Sequence, residues 1–425
     1  MIALLIAVVA VALALIGTPL FVVLGGVAMT LFALSDINIS AVIIEAMRIA
    51  TSPVLITIPL FTFAGYIMAE SGTPRRLINL TAALFGWFRG GTAIIAIIAC
   101  TFFTAFTGAT GVTIIALGGL LFPLLMKEKY GEKFSYGLIT SAGTMGMLFP
   151  PSIAIILYGL IANVSINKLF IAGIIPGAVL VILISIYSVK KAPPVDTARK
   201  VSARDVLKAA KEMAWEIPLP FIVLGGIYSG TFTAAEAAVI TALYAFIVEV
   251  FIYRDIKLKR DVPRITRASI VLTGGIFVIL GSALGLTNYL IDQQVPMKAL
   301  EWMQANVGNK YIFLILLNIF LILVGCIMDV FSATMVVVPL IAPIAISFGI
   351  DPVHLGIIFL TNLGIGYLTP PVGMNLFIAG FRFRKPVIVL AKAALPFLFI
   401  MLAGLMLITY IPGLSLWLVE VLKIN

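Results

Sequence analysis

The sequence has few of the residues that build disulfides, metal sites and charged surfaces. Its 425 residues include two cysteines and one histidine, and only 11% are Asp, Glu, Lys or Arg. Cys100 and Cys326 both lie in apolar runs, which excludes a disulfide framework, a zinc site and a CxxC redox pair, so we expect free interior thiols. The single histidine, His354, lies in a DPVH turn that we expect at the surface. The sequence also lacks HExxH and GxxxxGK[ST] motifs, which argues against a metalloprotease and a P-loop pump.

Apolar residues are what the sequence has in abundance. They make up 62% of the chain, with a mean hydropathy of +1.19, against roughly 45–50% in average proteins. One transmembrane helix needs ~20 apolar residues, and lipid cannot satisfy a free backbone, so the spans must be helical. The composition therefore predicts an all-α, polytopic membrane protein. Its apolar segments are 2–16, 19–34, 53–70, 90–126, 134–163, 168–189, 217–229, 234–253, 268–291, 311–347, 353–381 and 386–412.

The basic residues indicate an orientation for these spans. The net charge of +10 could indicate a nucleic-acid partner, but 23 of the 28 Lys and Arg residues fall in loops on one side of the membrane. The positive-inside rule makes that side cytoplasmic and places both termini in the periplasm. No basic residue precedes the first apolar run, so we expect 2–16 to be a span and not a cleaved signal peptide. The final LSLWLVEVLKIN is expected to form a short helix at the outer membrane interface.

The two halves of the chain share a pattern on either side of a polar connector. The connector, 190–216, is expected to be cytoplasmic and partly an amphipathic helix, and it separates a first repeat at 1–189 from a second at 217–425. One constant shift along the chain places Gly65 on Gly285, Pro123 on Pro343, Gly146 on Gly366, Pro150 on Pro370, and Pro151 on Pro371. The charges at their ends orient the two copies oppositely. Inverted repeats interrupted by Gly and Pro are typical of secondary transporters.

Each half contains an apolar segment about two helices long, at 90–126 and at 311–347, with a break of small and polar residues. Either segment could be a pair of spans or a re-entrant hairpin whose tip stops inside the membrane, and the nearly uncharged tips favour hairpins. A Gly-rich segment follows each one, at 134–163 and at 353–381, and Pro-Pro interrupts it. Because proline removes an amide donor and pushes the preceding residue out of the helical conformation, we expect unwound helices with freed carbonyl groups.

The residues at these breaks indicate the binding of a cation and of an anionic substrate. Unwound carbonyls supply the oxygen ligands that a hard cation such as sodium takes, and helix amino ends favour an anionic substrate. A single Pro-Pro indicates only a kink, whereas two at the same repeat position favour a site. Asp329 at the second tip either binds a cation or caps the helix that follows, and Asn375 binds either substrate or another helix. Glu236 is interpreted as a first-turn helix residue and not as a proton carrier.

With these residues placed, the sequence resembles the large membrane subunit (M subunit, DctM-like) of a tripartite ATP-independent periplasmic (TRAP) transporter over essentially the whole chain. The resemblance lies in GTMGMLFPPSIAIILYG, FIAGIIPG, the TAAEAA run, RDI after the eighth span, and DPVHLGIIFLTNLGIGYLTPPVGMNLF. It implies an elevator-type fold with a scaffold, two hairpins and two unwound helices. It also implies sodium-coupled import of an organic acid anion across the bacterial or archaeal cytoplasmic (inner) membrane.

The family further implies a cofactor ion, Na+, and two protein partners. These are a separate small membrane subunit (Q-type) and a periplasmic substrate-binding protein (P-type) that delivers the anion. Carried onto this chain, the sodium ligands are Thr104, Thr107, Gly108, Gly143, Gly146 and Phe149 for one ion, and Gly325, Asp329, Ser332, Gly366, Thr369 and Val372 for the other. The substrate is expected beside Thr110, Pro150, Pro151, Pro370, Pro371 and Asn375. The first tip departs from serine-rich members of the family by offering TGAT.

Three other classes of protein are alternatives to this interpretation. A passive channel is compatible with inverted repeats, but the sequence has no filter-like ring motif. An ion-coupled carrier that works without a binding protein is a second alternative, and an intramembrane enzyme is excluded by the missing catalytic motifs. The sequence leaves open which organic acid is carried.

Overall fold

The computed structural model describes residues 18–35, 37–40, 42–44, 47, 53–194, 202–229 and 231–422, together with 6, 9, 10, 12 and 13. Within these residues the protein is built from α-helices with short 3-10 and π turns, and it has no β-strand. The predicted all-α class is therefore confirmed. Most of the predicted first span, 2–16, lies outside the described residues, as do Arg48 and Lys423.

The first half contains nine helices in the described residues. They are α1 Leu20–Leu34, α2 Thr57–Glu70, α3 Thr73–Phe85, α4 Gly91–Thr107, α5 Thr110–Lys127, α6 Glu132–Met145, α7 Ile153–Ala162, α8 Ile166–Ala172 and α9 Ile174–Lys190. The connector contains α10 Ala203–Glu212, so the predicted helix in this segment is confirmed.

The second half contains ten more helices in the described residues. They are α11 Pro218–Tyr228, α12 Ala234–Ile247, α13 Asp261–Asp292, α14 Val295–Asn306, α15 Lys310–Ile327, α16 Val330–Ser347, α17 Pro352–Gly366, α18 Met374–Phe383, α19 Val387–Tyr410 and α20 Gly413–Val421. A π-helical turn, Val248–Ile252, extends α12.

Seven helices in the described part of the chain are long and apolar enough to cross a membrane, and an eighth span results if the bent pair of α6 and α7 counts as one. The two helices of that pair meet at an angle of 44°. Two helices, α3 and α14, lie outside the apolar segments that the sequence predicts. Helix α3 mixes polar and apolar residues, so hydropathy alone does not distinguish it from a loop that carries basic residues.

Helix boundaries recur at the interval of the sequence repeat. Helix α5 begins at Thr110 and α16 at Val330, while α6 begins at Glu132 and α17 at Pro352, so both pairs are offset by the interval that separates the two Pro-Pro breaks. The packing recurs as well. Helix α4 packs on α6 as α15 packs on α17, and α5 packs on α18 as α16 packs on α7. The second helix of each tip, α5 or α16, therefore packs against the helix that follows the Pro-Pro break of the other half, α18 or α7.

Helices α1, α2 and α12 form a second group with α13, the longest helix of the described chain. Helix α13 packs against α1 and α2, and α2 in turn packs against α12. Helix α13 also contacts α16, while α2 contacts α4. These contacts bring the two tips, the two breaks, α2 and α13 to one region of the molecule.

Several single residues can be compared with their predictions here. Cys100 and Cys326 are free and buried, as predicted. Glu236 lies in the first turn of α12, also as predicted, and there it forms a capping box with Thr233. The surface position expected for His354 is wrong, because its side chain is 3% exposed.

The reason for this error is tertiary packing around the DPVH turn. The Nδ1 atom of His354 lies 3.2 Å from the Ser415 hydroxyl in α20, and Nε2 lies 3.3 Å from the Thr409 carbonyl oxygen in α19. Both partners come from the last two helices of the chain, more than fifty residues from the histidine. The turn is therefore covered by helices that the local sequence does not reveal.

Candidate functional site

The first tip, between α4 and α5, is buried inside the protein. Gly108 ends α4 in a left-handed conformation (φ 66°) and donates its amide to the Thr104 carbonyl at 2.8 Å. Glycine takes this conformation without the steric cost that a Cβ atom brings. Thr104 and Thr107 are fully buried, and the Thr104 hydroxyl lies 2.6 Å from that of Thr113. A tip enclosed in this way is the environment in which irregular backbone is tolerated at membrane depth.

The first break lies directly against this tip. Helix α6 ends at Met145, a 3-10 turn covers Gly146–Leu148, and a cis peptide bond joins Pro150 to Pro151. A Cβ atom on Gly143 would lie 3.4 Å from the Thr104 hydroxyl and 3.5 Å from the Thr110 carbonyl oxygen. The first break and the first tip therefore pack directly against each other.

The prediction of freed carbonyls is wrong for most of the first break. The Gly143 carbonyl accepts from the Gly146 amide, the Gly146 carbonyl from the Phe149 amide, and the Phe149 carbonyl from the Ser152 amide. The chain tightens into 3-10 and turn geometry, which supplies new donors to the carbonyls that proline leaves behind. Each of these oxygens keeps a second lone pair. The Phe149 ring packs against Gly177, where a Cβ atom would lie 2.6 Å from it.

The second tip, between α15 and α16, is organised by Asp329. Its Oδ1 atom accepts hydrogen bonds from the amides of Phe331 at 2.9 Å and of Ser332 at 3.0 Å. The Ser332 hydroxyl donates to Oδ2, and the Val330 amide donates to the Tyr367 hydroxyl. Asp329 is therefore the amino-terminal cap of α16, one of the two roles foreseen for it.

The second break packs tightly against this tip. A Cβ atom on Gly366 would lie 2.5 Å from the Gly325 carbonyl carbon. The Gly373 amide, in a left-handed conformation (φ 54°), donates to the Cys326 carbonyl at 2.9 Å. As in the first break, carbonyls are partly engaged, because the Gly366 carbonyl accepts from the Thr369 amide at 2.9 Å.

The two breaks differ in exposure. Pro150 and Pro151 are buried, whereas Pro370, Pro371 and Val372 are exposed. Thr369 is half-buried, and its hydroxyl donates to the Ile365 carbonyl at 3.0 Å. The structure therefore places Gly366 against Gly325 and Asp329 beside Ser332, while the Val372 side chain is exposed.

Asn375 joins the two halves of the chain. Its Oδ1 atom accepts from the Thr110 hydroxyl at 2.6 Å, and its Nδ2 atom donates to the Thr140 carbonyl at 3.2 Å. The side chain is fully buried. Of the two roles foreseen for Asn375, contact with other helices is the one present in the structure.

A cavity of about 530 Å³ lies between the two tips. This volume is in the range of sites that hold small organic molecules. The lining residues come from α2, both tips, α13, and the two breaks with α18: Tyr66, Gly108, Ala109, Thr110, Gly111, Val112, Ile115, Met147, Val271, Leu272, Gly275, Ile276, Ile279, Asp329, Val330, Phe331, Tyr367, Met374 and Ile378.

Only some of the predicted substrate residues reach this cavity. Thr110 lines it, whereas the four break prolines and Asn375 do not. Tyr66, Met147 and Tyr367 line the cavity without having been predicted. Met147 and Tyr367 share one sequence signal, since each lies three residues before a Pro-Pro pair. The contributions of Tyr66 and α13 depend on tertiary packing alone.

The amino ends of α5 and α16 both face the cavity, but only one is capped by a side chain. Asp329 occupies the amides of α16, whereas the cap residue of α5, Ala109, offers none. The residues Thr110, Gly111 and Val112, which carry the first amides of α5, line the cavity. Uncapped amides and the positive end of a helix dipole favour an anionic group. Among the described residues that line the cavity, Asp329 is the only charged one.

Comparison with known proteins agrees with this architecture. Residues 4–414 match the family described as "Tripartite ATP-independent periplasmic transporter, DctM component". The C4-dicarboxylate TRAP transporter large permease protein DctM of Pseudomonas aeruginosa is 36% identical over 391 residues, which cover 92% of this chain and 91% of that protein. The ectoine/5-hydroxyectoine TRAP transporter large permease protein UehC of Ruegeria pomeroyi is 32% identical, with 96% of each chain covered.

A longer relative and a solved structure extend the comparison. The isethionate TRAP transporter permease protein DctMQ of Oleidesulfovibrio alaskensis is 33% identical over 95% of this chain and 64% of that protein. The YdaH transporter of Alcanivorax borkumensis has a similar fold, with a TM-score of 0.65, 14% identity and 89% of each chain covered. These relatives are transporter permeases and not enzymes, and this chain belongs to the DctM family of TRAP transporter large permeases.

Proposed function

We propose that this protein is the membrane permease of a sodium-coupled importer that takes up an organic acid anion from a periplasmic binding protein. The membership of the DctM family supports import with a binding protein. Relatives named for C4-dicarboxylates, isethionate and ectoine leave the substrate open, and we assign it to the class of small organic acids.

The observation that carries the proposal is the uncapped amino end of α5 at the cavity between the tips. Two helices direct their amino ends at this cavity, and the cap of α5, Ala109, has no side-chain hydrogen bond to the helix. A carboxylate or sulfonate would accept hydrogen bonds from these amides. The apolar walls supplied by α13 suit the carbon skeleton of a small acid.

Sodium is proposed to bind between each tip and the break beside it. The first ion would take oxygens from Thr104, Thr107, Gly108, Gly143, Gly146 and Phe149, and the second from Gly325, Asp329, Ser332, Gly366, Thr369 and Val372. The close approach of tip and break on both sides supports these two positions. The Gly143, Gly146, Phe149 and Gly366 carbonyls already accept one hydrogen bond each, so an ion would use their second lone pairs.

The transport cycle is proposed to be an elevator movement in an inner membrane. In it, the helices that carry the tips and breaks would move against the group around α13, with the two halves inserted in opposite orientations and both termini in the periplasm. The recurrence of helix boundaries at the interval of the sequence repeat supports this symmetry. A Q-type small subunit is proposed as a partner, and the name DctMQ of the isethionate relative supports it.

The test is uptake by proteoliposomes that contain the purified chain and its small subunit. Succinate, isethionate and ectoine would be offered with the cognate binding protein, after a thermal-shift screen of that protein against the three compounds. We expect uptake of the compound that stabilises the binding protein, and only with an inward sodium gradient. Uptake without sodium and without the binding protein would contradict the proposal.

A passive channel is the alternative, and the same vesicles distinguish it. A channel would carry its substrate down a gradient without sodium and would give unitary conductance steps in a planar bilayer. A coupled carrier would accumulate substrate against its gradient and give no such steps. An ion-coupled carrier independent of the binding protein would accumulate free substrate with sodium alone.

A further inference from the structure

A buried group of charged residues lies outside the lining of the cavity and has no part in the proposed transport site. We call it the Arg76 cluster, and it consists of Thr73, Arg76, Glu216, Glu249 and Asp255. Thr73 and Arg76 begin α3, Glu216 ends the connector, Glu249 lies in the π-helical turn after α12, and Asp255 lies in the loop before α13. The cluster therefore ties the first turn of α3 to three other segments.

One guanidinium group serves three carboxylates in this cluster. The Nη2 atom of Arg76 lies 2.6 Å from Glu216 Oε1 and 2.9 Å from Glu249 Oε2, and Nη1 lies 2.6 Å from Asp255 Oδ2. Burial lowers the pKa of Arg76, but the bonds to Glu216 and Asp255 outweigh burial and raise it above its ordinary value. The guanidinium therefore stays charged, and its single positive charge is fixed.

The negative charges exceed this single positive charge. Asp255 is 31% exposed, so water screens its charge, whereas Glu216 is 3% exposed and Glu249 is 1% exposed. If both glutamates were ionised, the buried site would hold one uncompensated negative charge beside Arg76. An uncompensated charge in a buried site is strongly unfavourable.

The contacts of the Thr73 hydroxyl indicate how the excess negative charge of the two glutamates is neutralised. This hydroxyl lies 2.8 Å from Glu216 Oε1 and 3.0 Å from Glu249 Oε1, yet a hydroxyl has only one hydrogen to donate. If each contact is a separate two-centre hydrogen bond, one carboxyl carries a proton and donates it to Thr73, and Thr73 donates to the other carboxylate. Reversing the direction of the hydroxyl exchanges the two roles. The Ser71 hydroxyl, 2.8 Å from that of Thr73, donates to the Met68 carbonyl at 3.0 Å and does not carry this charge balance.

A second feature points to the same conclusion. The other oxygen of Glu216, Oε2, is buried and has no hydrogen-bond partner in the described residues. Glu216 and Glu249 together line a cavity of about 10 Å³, the space of about one water molecule. A bare oxygen is less costly on a neutral carboxyl group than on an ionised one.

We propose that Glu216 and Glu249 share one proton through the Thr73 hydroxyl, and that the Arg76 cluster is a proton-binding site at the junction of α3 with the connector and α12. The ligand is a proton, released as the pH rises. The inference does not depend on the substrate or on sodium coupling.

The charged and titratable groups next to the Arg76 cluster do not neutralise the second glutamate. Tyr253 packs under the Arg76 guanidinium at 3.9 Å and donates its hydroxyl hydrogen to the Glu212 carbonyl, while Tyr244 donates to the Trp215 carbonyl. On α2, Glu70 pairs with Arg264 at 2.9 Å. None of these groups supplies a second positive charge to Glu216 or Glu249.

Loss of the proton would place two ionised glutamates beside one arginine. Their repulsion would weaken the attachment of α3 to the connector and α12. Helix α3 connects α2 to α4, and α4 ends at the first tip. Because that tip belongs to the proposed transport site, the proton would regulate how firmly this part of the molecule is held. The net charge of the loops indicates that this end of the molecule faces the cytoplasm.

Infrared spectroscopy of the full chain in lipid vesicles tests the proposal directly. We expect the wild-type protein to show the carbonyl stretch of a protonated carboxyl group at neutral pH that disappears as the pH is raised. Either Glu216→Gln or Glu249→Gln leaves one carboxylate for one guanidinium, so each variant should lose this band. Asp255→Asn, which removes the solvated carboxylate, should keep it.

The opposite outcomes overturn the proposal. A wild-type protein without the band, or a band that survives in both glutamine variants, would show that no proton is shared. A missing band together with a melting temperature that rises with sodium or potassium concentration would show that a cation compensates the charge instead.

Thermal stability gives an independent measurement if one variant expresses poorly. The wild-type melting temperature should fall as the pH is raised through the release of the proton, since the folded state binds more protons than the unfolded chain. Glu249→Gln should remove this fall, and Asp255→Asn should retain it. An identical pH profile in wild type and Glu249→Gln would contradict the assignment.

Discussion

At the scale of single residues, two glycines decide how closely each break meets its tip. A Cβ atom on Gly146 would lie 2.4 Å from the Thr101 carbonyl oxygen, and one on Gly366 would lie 2.5 Å from the Gly325 carbonyl carbon. Both obstacles are backbone atoms of a packed helix, which cannot move as a side-chain end can. The recurrence of glycine at these two positions therefore has a steric reason.

Alanine substitutions at these two positions test the steric explanation. We expect Gly146→Ala and Gly366→Ala each to lower stability by about 1–3 kcal/mol through overpacking, and to abolish uptake because tip and break separate. The matched control is Gly274→Ala in α13, where no atom lies within 4 Å of the added Cβ and alanine favours the helix by ~1 kcal/mol. Melting temperatures and uptake would be measured together, and equal losses in all three variants would refute the steric argument.

Asp329 allows its structural role to be separated from its proposed role as a sodium ligand. Asn at this position keeps a side-chain oxygen for the amides of Phe331 and Ser332 but removes the charge. We expect Asp329→Ala to cost ~1 kcal/mol of stability and Asp329→Asn to cost less.

Sodium titration of uptake is the measurement for these two variants. If Asp329 helps to bind sodium, both substitutions should raise the sodium concentration needed for half-maximal uptake. If the residue is only a cap, Asp329→Asn should titrate like wild type, which would remove Asp329 from the proposed site.

At the scale of helices, the two breaks occupy equivalent positions in the repeat but different environments. Ser152 and Val372 each directly follow their Pro-Pro pair, yet Ser152 is fully buried and Val372 is 40% exposed. Irregular backbone at membrane depth is stable only inside protein or beside water. The exposed break at 369–373 should therefore face an aqueous space and not lipid.

Cysteine labelling tests this difference. In a background with Cys100 and Cys326 replaced by alanine, we expect Val372→Cys to react with a membrane-impermeant maleimide in vesicles and Ser152→Cys not to react. Ile270→Cys, at an exposed position of α13 that does not line the cavity, tells whether exposure alone is sufficient. Slow reaction of Val372→Cys would mean that lipid or a partner subunit covers the second break.

At the scale of the whole molecule, the loop charges predict an orientation of the chain in the membrane. The connector with α10 should be cytoplasmic, and the turn at Gly308 between α14 and α15 should be periplasmic. We expect Lys208→Cys to be labelled only in inside-out vesicles and Gly308→Cys only in right-side-out vesicles. Labelling of both from one side would contradict the predicted topology.

A feature of this protein could be predicted from the sequence when the residues that cause it lie close together along the chain. The Pro-Pro breaks, the helix that Asp329 caps and the first-turn position of Glu236 could be predicted because their causes lie within four residues along the chain. His354 was placed wrongly, and Arg76 was counted only as one of the loop charges. In both cases the partners are distant, since Glu216 and Glu249 lie 140 and 173 residues from Arg76.

The sequence by itself determined the membrane environment, the helical class, the positions of the two breaks and the resemblance to the DctM family. These follow from hydropathy, loop charge and the backbone chemistry of Gly and Pro, which act locally. Only the tertiary structure decided that α13 and Tyr66 wall the cavity, that the amino end of α5 is uncapped there, and that one arginine faces two buried glutamates. Such contacts depend on how separate helices pack, because a side chain's partner across an interface is set by geometry that neighbouring residues do not encode.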